Sequence, residues 1–205
     1  MNTPYTSANK VLDEVLLPNY QKSYDLDAKA IKELNKYVEI QSAANDRAFF
    51  DEHFKKLWGS FYKLRLGGVS GNSGDKGKSR IELFWEVFTQ YMESDWDNEA
   101  LLKKLKDATT RVELSFATKM QHTKDPSKAK WDSLAMQNLN WSKPQNLPDA
   151  VSKITALNNL YCKILSSENW GEISNHFDQT VATHFPGFVF NDAQKLDYLL
   201  WKIKA

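Results

Sequence analysis

Five of the eight glycines in this 205-residue chain (Gly67, Gly68, Gly71, Gly74 and Gly77) fall within one eleven-residue stretch, and the rest of the chain is nearly free of glycine. An all-β protein needs breakers at every turn, so that distribution argues against one. Apolar residues recur instead at helical spacing. Asp27 to Ser42 carries Ala30, Ile31, Leu34, Tyr37 or Val38, and Gln41, with Asp25 or Asp27 placed as an N-cap. Asp46 to Tyr62 carries the aromatic stripe Phe49, Phe50, Phe54, Leu57, Trp58 and Phe61. Ser79 is placed to cap a helix through Ile81, Phe84, Trp85, Phe88, Tyr91 and Met92, followed by helices at Asn98 to Lys106 and Arg111 to His122. Pro126 stops the last of these, and Pro148 opens a helix running to about Ser166. Asn169 to His184 and Asp192 to Ile203 complete the series. With no period-two alternation and no internal repeat, the chain reads as one all-α domain over residues 1–205, with about eight or nine helices and residues 66–78 as a flexible Gly-rich basic loop.

A single cysteine, Cys162, cannot close an intrachain disulfide or build a Cys-based metal site; it is expected to be a buried filler on an apolar helix face. No apolar run approaches the ~18 residues of a membrane span, and Met1 to Lys10 lacks the features of a signal peptide. A cytoplasmic protein without a membrane association is expected. His53, His122, His176 and His184 are scattered without ligand spacing, so neither a metal nor another cofactor is expected.

The glycine stretch ends in Gly77-Lys78-Ser79, which invites comparison with a phosphate-binding loop. Such a loop needs Gly-x-x-x-x-Gly-Lys-Ser/Thr fed by a hydrophobic strand. The position for its first glycine holds Asn72, and Tyr62 to Leu66 is too short and charged for that strand, so an exposed loop is the better reading.

Charge carries more. Lys plus Arg total 27 against 26 Asp plus Glu, a net of +1 that argues against bulk attraction to nucleic acid. Yet from His53 to Arg80 seven basic residues (Lys55, Lys56, Lys63, Arg65, Lys76, Lys78 and Arg80) face one acid, Asp75, leaving the remainder net acidic. A second cluster holds Lys119, Lys124, Lys128 and Lys130 around Asp125. A one-sided basic face of this kind fits a polyanion partner, although wet faces of amphipathic helices give similar counts.

The segment Ser115 to Ser133 carries the sharpest candidate. It is a helix stopped by Pro126, then a turn that delivers Asp132 to the start of the next helix, Ser133 to Leu139. A helix cap explains an aspartate there. A carboxylate held between two helices with lysines nearby is also placed to stabilise positive charge developing on a substrate.

The pattern Ser115-Phe116-Ala117-x-Lys119-x-x-His122-x-x-x-Pro126, followed by Trp131-Asp132-Ser133, resembles a segment of small bacterial members of the helix-hairpin-helix DNA glycosylase superfamily, the 8-oxoguanine DNA glycosylase-like group. The C-terminal Lys195-Leu196-Asp197-Tyr198-Leu199-Leu200-Trp201 resembles that group's closing helix. The resemblance implies a glycosylase-like all-α fold that binds double-stranded DNA, flips a damaged or modified base and excises it, in base excision repair or in defence against phage with modified bases. Asp132 then matches the catalytic aspartate. Lys119 is either an amine nucleophile or a partner of a carboxylate or phosphate; it stands thirteen residues before Asp132, closer than the superfamily's nucleophilic lysine. Lys63, Arg65, Lys76, Lys78, Arg80, Lys128 and Lys130 are the candidate DNA contacts, and Trp131 would stack on a base or wedge the duplex if it is not a core residue. The chain departs from the group in lacking a Gly-x-Gly hairpin in Asp107 to Leu114 and in placing Lys130-Trp131 where Pro-Ile or Pro-Val stands. The alternative is a non-catalytic helical domain that binds nucleic acid or protein.

Overall fold

A computed structural model describes residues 4–23, 26–44, 51–64 and 78–203. Among these residues the fold is all-α, with no strand. The N-terminal segment forms helix where no helix is expected: Ala8–Lys10 (α1) runs into π-helical Val11–Leu16, and Tyr20–Ser23 (α2) follows Pro18. Val11, Leu12, Val15 and Leu16 are all buried, so the short segment is held by packing rather than by length.

Ala28–Ala44 (α3) begins where Asp27 accepts the amide of Ala30 at 2.7 Å, as the capping argument requires. Glu52–Phe61 (α4) starts later than the aromatic stripe suggests, because Asp51 caps it by accepting the amide of Phe54 at 2.8 Å; Phe49 and Phe50 lie outside the described residues. Ser79 and Glu82 form a reciprocal capping box at the start of Arg80–Glu93 (α5). Asn98–Thr109 (α6), Leu114–Lys124 (α7) and Ser133–Asn138 (α8) follow. Leu147–Leu165 (α9) has Asn146 as its cap and Pro148 in its first turn. Trp170–Thr180 (α10) gives way to a 3-10 turn, Ala182–His184, and Asp192–Lys202 (α11) closes the fold under a second capping box.

Buried side chains from Ala8 to Ile203 form one continuous apolar cluster. Within it α5 packs on α6, α3 on α4, α6 on α9, and α11 on α8 and α9, while α7 touches α3, α5, α6 and α9. None of the described helices is long and apolar enough to cross a membrane.

The expectation for Cys162 is corrected: the thiol is exposed. The buried stripe of α9 runs through Ala150, Ile154, Leu157, Leu160, Tyr161 and Ile164. Helical phase turns Cys162 and Lys163 to the opposite, exposed side.

Candidate active site

Helix α7 has no wet face along most of its length. All seven residues from Ala117 to Thr123 are buried, and five of them are polar: Thr118, Lys119, Gln121, His122 and Thr123. A helix surrounded by core is ordinarily apolar all round, because a buried polar group without a partner costs roughly 1–3 kcal/mol. Here each of the five has at least one, although Gln121 Oε1 meets no hydrogen-bond partner among the described residues. Thr118 Oγ1 accepts the amide of Trp131 at 2.9 Å. Gln121 Nε2 donates to Asn98 Oδ1 at 2.6 Å. Thr123 Oγ1 donates to the carbonyl of Lys119 at 2.8 Å and accepts from Trp58 Nε1 at 3.0 Å. Lys119 Nζ donates to Ser115 Oγ at 3.0 Å. His122 binds at both ring nitrogens.

The connector from Asp125 to Asp132 is pinned to this helix and to α9 and α11. Ala129 donates its amide to Asn158 Oδ1 at 3.0 Å, and Lys130 donates its own to Asp197 Oδ1 at 3.3 Å. Together with the Trp131 amide on Thr118, these bonds fix the backbone that presents Asp132.

Asp132 and Lys119, thirteen residues apart in sequence, are brought together: Asp132 Oδ2 lies 4.0 Å from Lys119 Nζ. The other carboxylate oxygen caps α8, accepting the amide of Leu134 at 2.9 Å. Asp132 thus serves as both cap and partner, and with 30% of its side chain exposed it is the member of the pair that solvent can reach. Lys119 is almost enclosed, its ammonium over the rings of Tyr62 and Phe116 at 5.4 and 5.5 Å. Burial lowers its pKa to about 8; Asp132 pulls the other way, and the charges of Lys130 and Lys63 add to the lowering.

A second buried cluster gathers around Asp197, to which the sequence assigns no role of its own. Asp197 on α11 accepts from Tyr161 at 2.6 Å, and its second oxygen lies 3.5 Å from Lys130 Nζ and 3.4 Å from His122 Nδ1. Burial raises the carboxyl pKa, opposed chiefly by Lys130. His122 Nδ1 faces the carbonyl of Lys128 at 2.7 Å, which assigns the proton to Nδ1, and Nε2 then accepts from Tyr37 at 2.6 Å. Burial, then Lys130, holds the His122 pKa well below the ordinary range.

A pH effect follows from His122. Its imidazole stays neutral in the fold but protonates near pH 6.5 once unfolded, so it lowers stability as pH falls through 6.5 toward the depressed folded value. His122→Gln is expected to be less stable at neutral pH, but its loss of stability between about pH 6.5 and 5 should be shallower than wild type by up to about 1.4 kcal/mol per unit. Urea titrations across that range check it; parallel slopes would contradict it.

The candidate DNA contacts are divided by the structure. Lys63 is exposed just past the end of α4, with a φ of 53° in the left-handed region. Lys128 is exposed and lies 3.5 Å from Asp125. Lys78 pairs with Glu86 at 2.5 Å, and Arg80 is half-buried, donating to Thr110 Oγ1 at 2.8 Å. Arg65 and Lys76, with the rest of the glycine loop up to Gly77, lie outside the described residues.

Two candidates lie inside the fold. Lys130 is not a surface cation: 15% of its side chain is exposed, and Nζ sits on Asp197 and 4.6 Å above the ring of Tyr37. Trp131 is buried against Trp141, ring centres 5.8 Å apart, the core position that the sequence leaves open for it. The second basic cluster is therefore no patch. Lys119 and Lys130 turn inward, and Lys124 donates to the carbonyls of Tyr91 and Ser94 at the end of α5.

An open groove of about 1080 Å³ runs between α4 and α5, where Lys55 and Lys56 share the walls with Glu52, Glu82 and Glu86. Neither Lys119 nor Asp132 lines it, and its mixed charge gives no preference for a polyanion. Among the described residues no three His, Cys, Asp or Glu side chains converge as a metal site. No family model, curated protein or solved structure matches the chain.

Proposed function

We propose that the protein is a DNA glycosylase in which Asp132 and Lys119 act on the N-glycosidic bond of a flipped, damaged or modified nucleotide. One observation carries the reading: a buried lysine of the central helix α7 and the partly exposed carboxylate that caps α8, thirteen residues apart, meet at 4.0 Å. Enclosure makes that pair costly to the fold, as a site for chemistry often is.

In this reading the bond between C1′ and the base nitrogen breaks with its electron pair leaving on the base. Positive charge develops on the sugar, and the Asp132 carboxylate, the accessible member of the pair, stabilises it. Water adds at C1′ and its proton ends on the departing base, leaving a free base and an abasic sugar. Lys119 offers a second route, because its amine fraction can attack C1′ in place of water. The new C1′–Nζ bond, after ring opening, is a Schiff base that borohydride reduces to a stable link between protein and DNA.

The resemblance of the Ser115 to Ser133 segment to glycosylases favours DNA as the substrate, and exposed Lys63, Lys78 and Lys128 are its described candidate contacts free of the core. The competing reading, a helical domain that binds nucleic acid or protein without catalysis, takes the Lys119–Asp132 contact as a structural ion pair.

A panel of duplexes with oxidised, alkylated and deaminated bases, together with DNA from phage carrying modified bases, separates the two. The expected result is base release from at least one substrate, seen as alkali-sensitive abasic sites. Binding without release on every substrate would favour the competing reading. Borohydride present during turnover traps a covalent complex at Lys119 if the amine route operates.

A further inference from the structure

We propose that Lys119 serves base release in its ammonium form, as a general acid that gives its proton to the departing base, and that the site therefore takes a neutral base rather than a cationic one. The inference rests on the glycosylase reading for its reaction and selects the water route over the amine route.

The geometry begins with what surrounds the ammonium. Tyr62 stands just past the end of α4, its amide donating to the carbonyl of Trp58 at 2.9 Å, and Phe116 stands one turn before Lys119 on α7. Their ring centres lie 5.4 and 5.5 Å from Nζ, within the range at which an aromatic face attracts a cation. The fully buried indole of Trp58 backs both rings, with centres 4.7 and 6.3 Å away, and holds this cradle in place. A neutral amine gains nothing comparable from such faces. Asp132, 4.0 Å from Nζ, favours the charged form as well.

An ammonium carries three donors. One meets Ser115 Oγ at 3.0 Å, whereas Asp132 Oδ2 at 4.0 Å is beyond hydrogen-bond length, so two donors have no oxygen or nitrogen acceptor among the described residues. Lys124 on the same helix shows the contrast, its Nζ donating to the carbonyls of both Tyr91 and Ser94. The spare donors of Lys119 stand beside the one carboxylate of the pair that solvent reaches.

A neutral base leaving C1′ takes the electron pair of the C1′–N bond and becomes negative, and a hydrogen bond that passes into proton transfer relieves that charge. Lys119 supplies the proton and becomes the amine. Water then adds at C1′; its proton passes to the Asp132 carboxylate and on to the Lys119 amine, which restores both groups, and the base keeps one proton in the balance. Burial, the largest influence on Lys119, lowers its pKa to about 8; Asp132 opposes that, the charges of Lys130 and Lys63 add to it, and Tyr62 stays un-ionised because burial raises its own pKa. An acid of that strength is present at neutral pH and gives up its proton more readily than an ordinary lysine. A base alkylated at a ring nitrogen already carries positive charge. It departs neutral, needs no proton and is repelled by the ammonium.

The test sets two leaving groups against each other in the intact protein. Duplexes carry either a neutral oxidised or deaminated base or cationic N7-methylguanine, and wild type is compared with Lys119→Met, which nearly conserves volume and removes a buried charge. Lys119→Met is expected to lower release of the neutral base by at least about 10²-fold and that of N7-methylguanine by less than about threefold. The wild-type rate on the neutral base should fall above about pH 8, and that of Lys119→Met should be flat there. The cradle is read on the protein alone, by brief exposure to an amine-acylating reagent from about pH 6 to 10 and mass spectrometry of the Lys119 peptide. Tyr62→Met, which fills much of the space without a ring, should lower the labelling midpoint, and Tyr62→Phe should keep it. Equal losses on both bases, release of N7-methylguanine alone, a fall above pH 8 that persists in Lys119→Met, or borohydride trapping at Lys119 would overturn the acid role and leave the glycosylase reading. Release from no duplex would overturn that reading and the acid role together, and unchanged labelling in Tyr62→Met would overturn the cradle.

Discussion

Asp132→Asn is expected to lower base release by about 10²- to 10³-fold, the loss usual when a preorganised group facing transition-state charge is removed. The fold should survive. Asparagine still offers an oxygen to the amide of Leu134, so the start of α8 keeps its cap. Lys119 stays enclosed without its carboxylate, and it avoids an uncompensated buried charge by giving up its proton more readily. The substitution has a second, opposite consequence. Asp132 is the influence that favours the ammonium form of Lys119, so its neutralisation moves that pKa below about 8 and enlarges the amine fraction at pH 7. The variant should label faster at Lys119 while excising bases more slowly. A structural ion pair would give the first effect without the second, because no excision would be there to lose. Base release surviving at the wild-type rate would remove Asp132 from the chemistry, and faster excision would place the rate in the Lys119 amine alone.

What the sequence discloses and what it hides divide along physical lines. Caps are local, so Ser79 could be assigned from its neighbours and the start of α3 narrowed to Asp25 or Asp27; Ser79 and Asp27 both cap in the structure. Amphipathic stripes are nearly as legible: Leu196, Leu199, Leu200 and Ile203 all face the core as their spacing requires. The stripe fails where a helix has no wet side. Periodicity in α7 is weak because its buried surface goes all round, and its polar residues look like a solvated face until their partners on other helices are seen. Counting charge fails for the same reason. Lys119, Lys124 and Lys130 add to a basic patch on paper, yet each ammonium has a partner that only the tertiary fold brings to it. Cys162 is a simpler lapse of phase, one residue beyond Tyr161 but turned about 100° around the helix.

The Lys119–Asp132 site is half legible. The motif marks both residues, and the spacing leaves their meeting open. The bent path from α7 through Pro126 to α8 supplies it, with Thr118 and Asp197 holding the intervening amides. Asp197 does leave one signal in the sequence. A carboxylate inside Leu196-Asp197-Tyr198-Leu199-Leu200 has charge where a buried helix face should not, and such a residue needs a partner wherever the fold can bring one. Tyr62, which lies under the Lys119 ammonium, left no comparable mark among the chain's many aromatics.

The largest loss of stability is expected at Trp58. Its side chain is fully buried, with ring centres of Tyr62, Phe88, Trp85, Phe84 and Phe116 between 4.7 and 6.3 Å away. Removing the indole in Trp58→Ala leaves a cavity among rings anchored on α5, on α7 and just past the end of α4, which cannot all collapse inward. The expected cost is about 3–5 kcal/mol. Against a total stability of roughly 5–15 kcal/mol, this should lower the melting temperature by about 10 °C or more. Trp58→Phe should cost less than half as much, because it fills much of the space and Thr123 keeps its bond to the Lys119 carbonyl when the indole donor is gone. Calorimetry on the two variants checks the order, and a Trp58→Ala loss under 1 kcal/mol would contradict the packing. The same substitution reaches the site, since Thr123 and Tyr62 both touch Trp58 and Lys119. Loosening that wall admits water to Lys119, and its labelling midpoint should rise from about 8 toward that of an ordinary lysine even at temperatures where the protein remains folded.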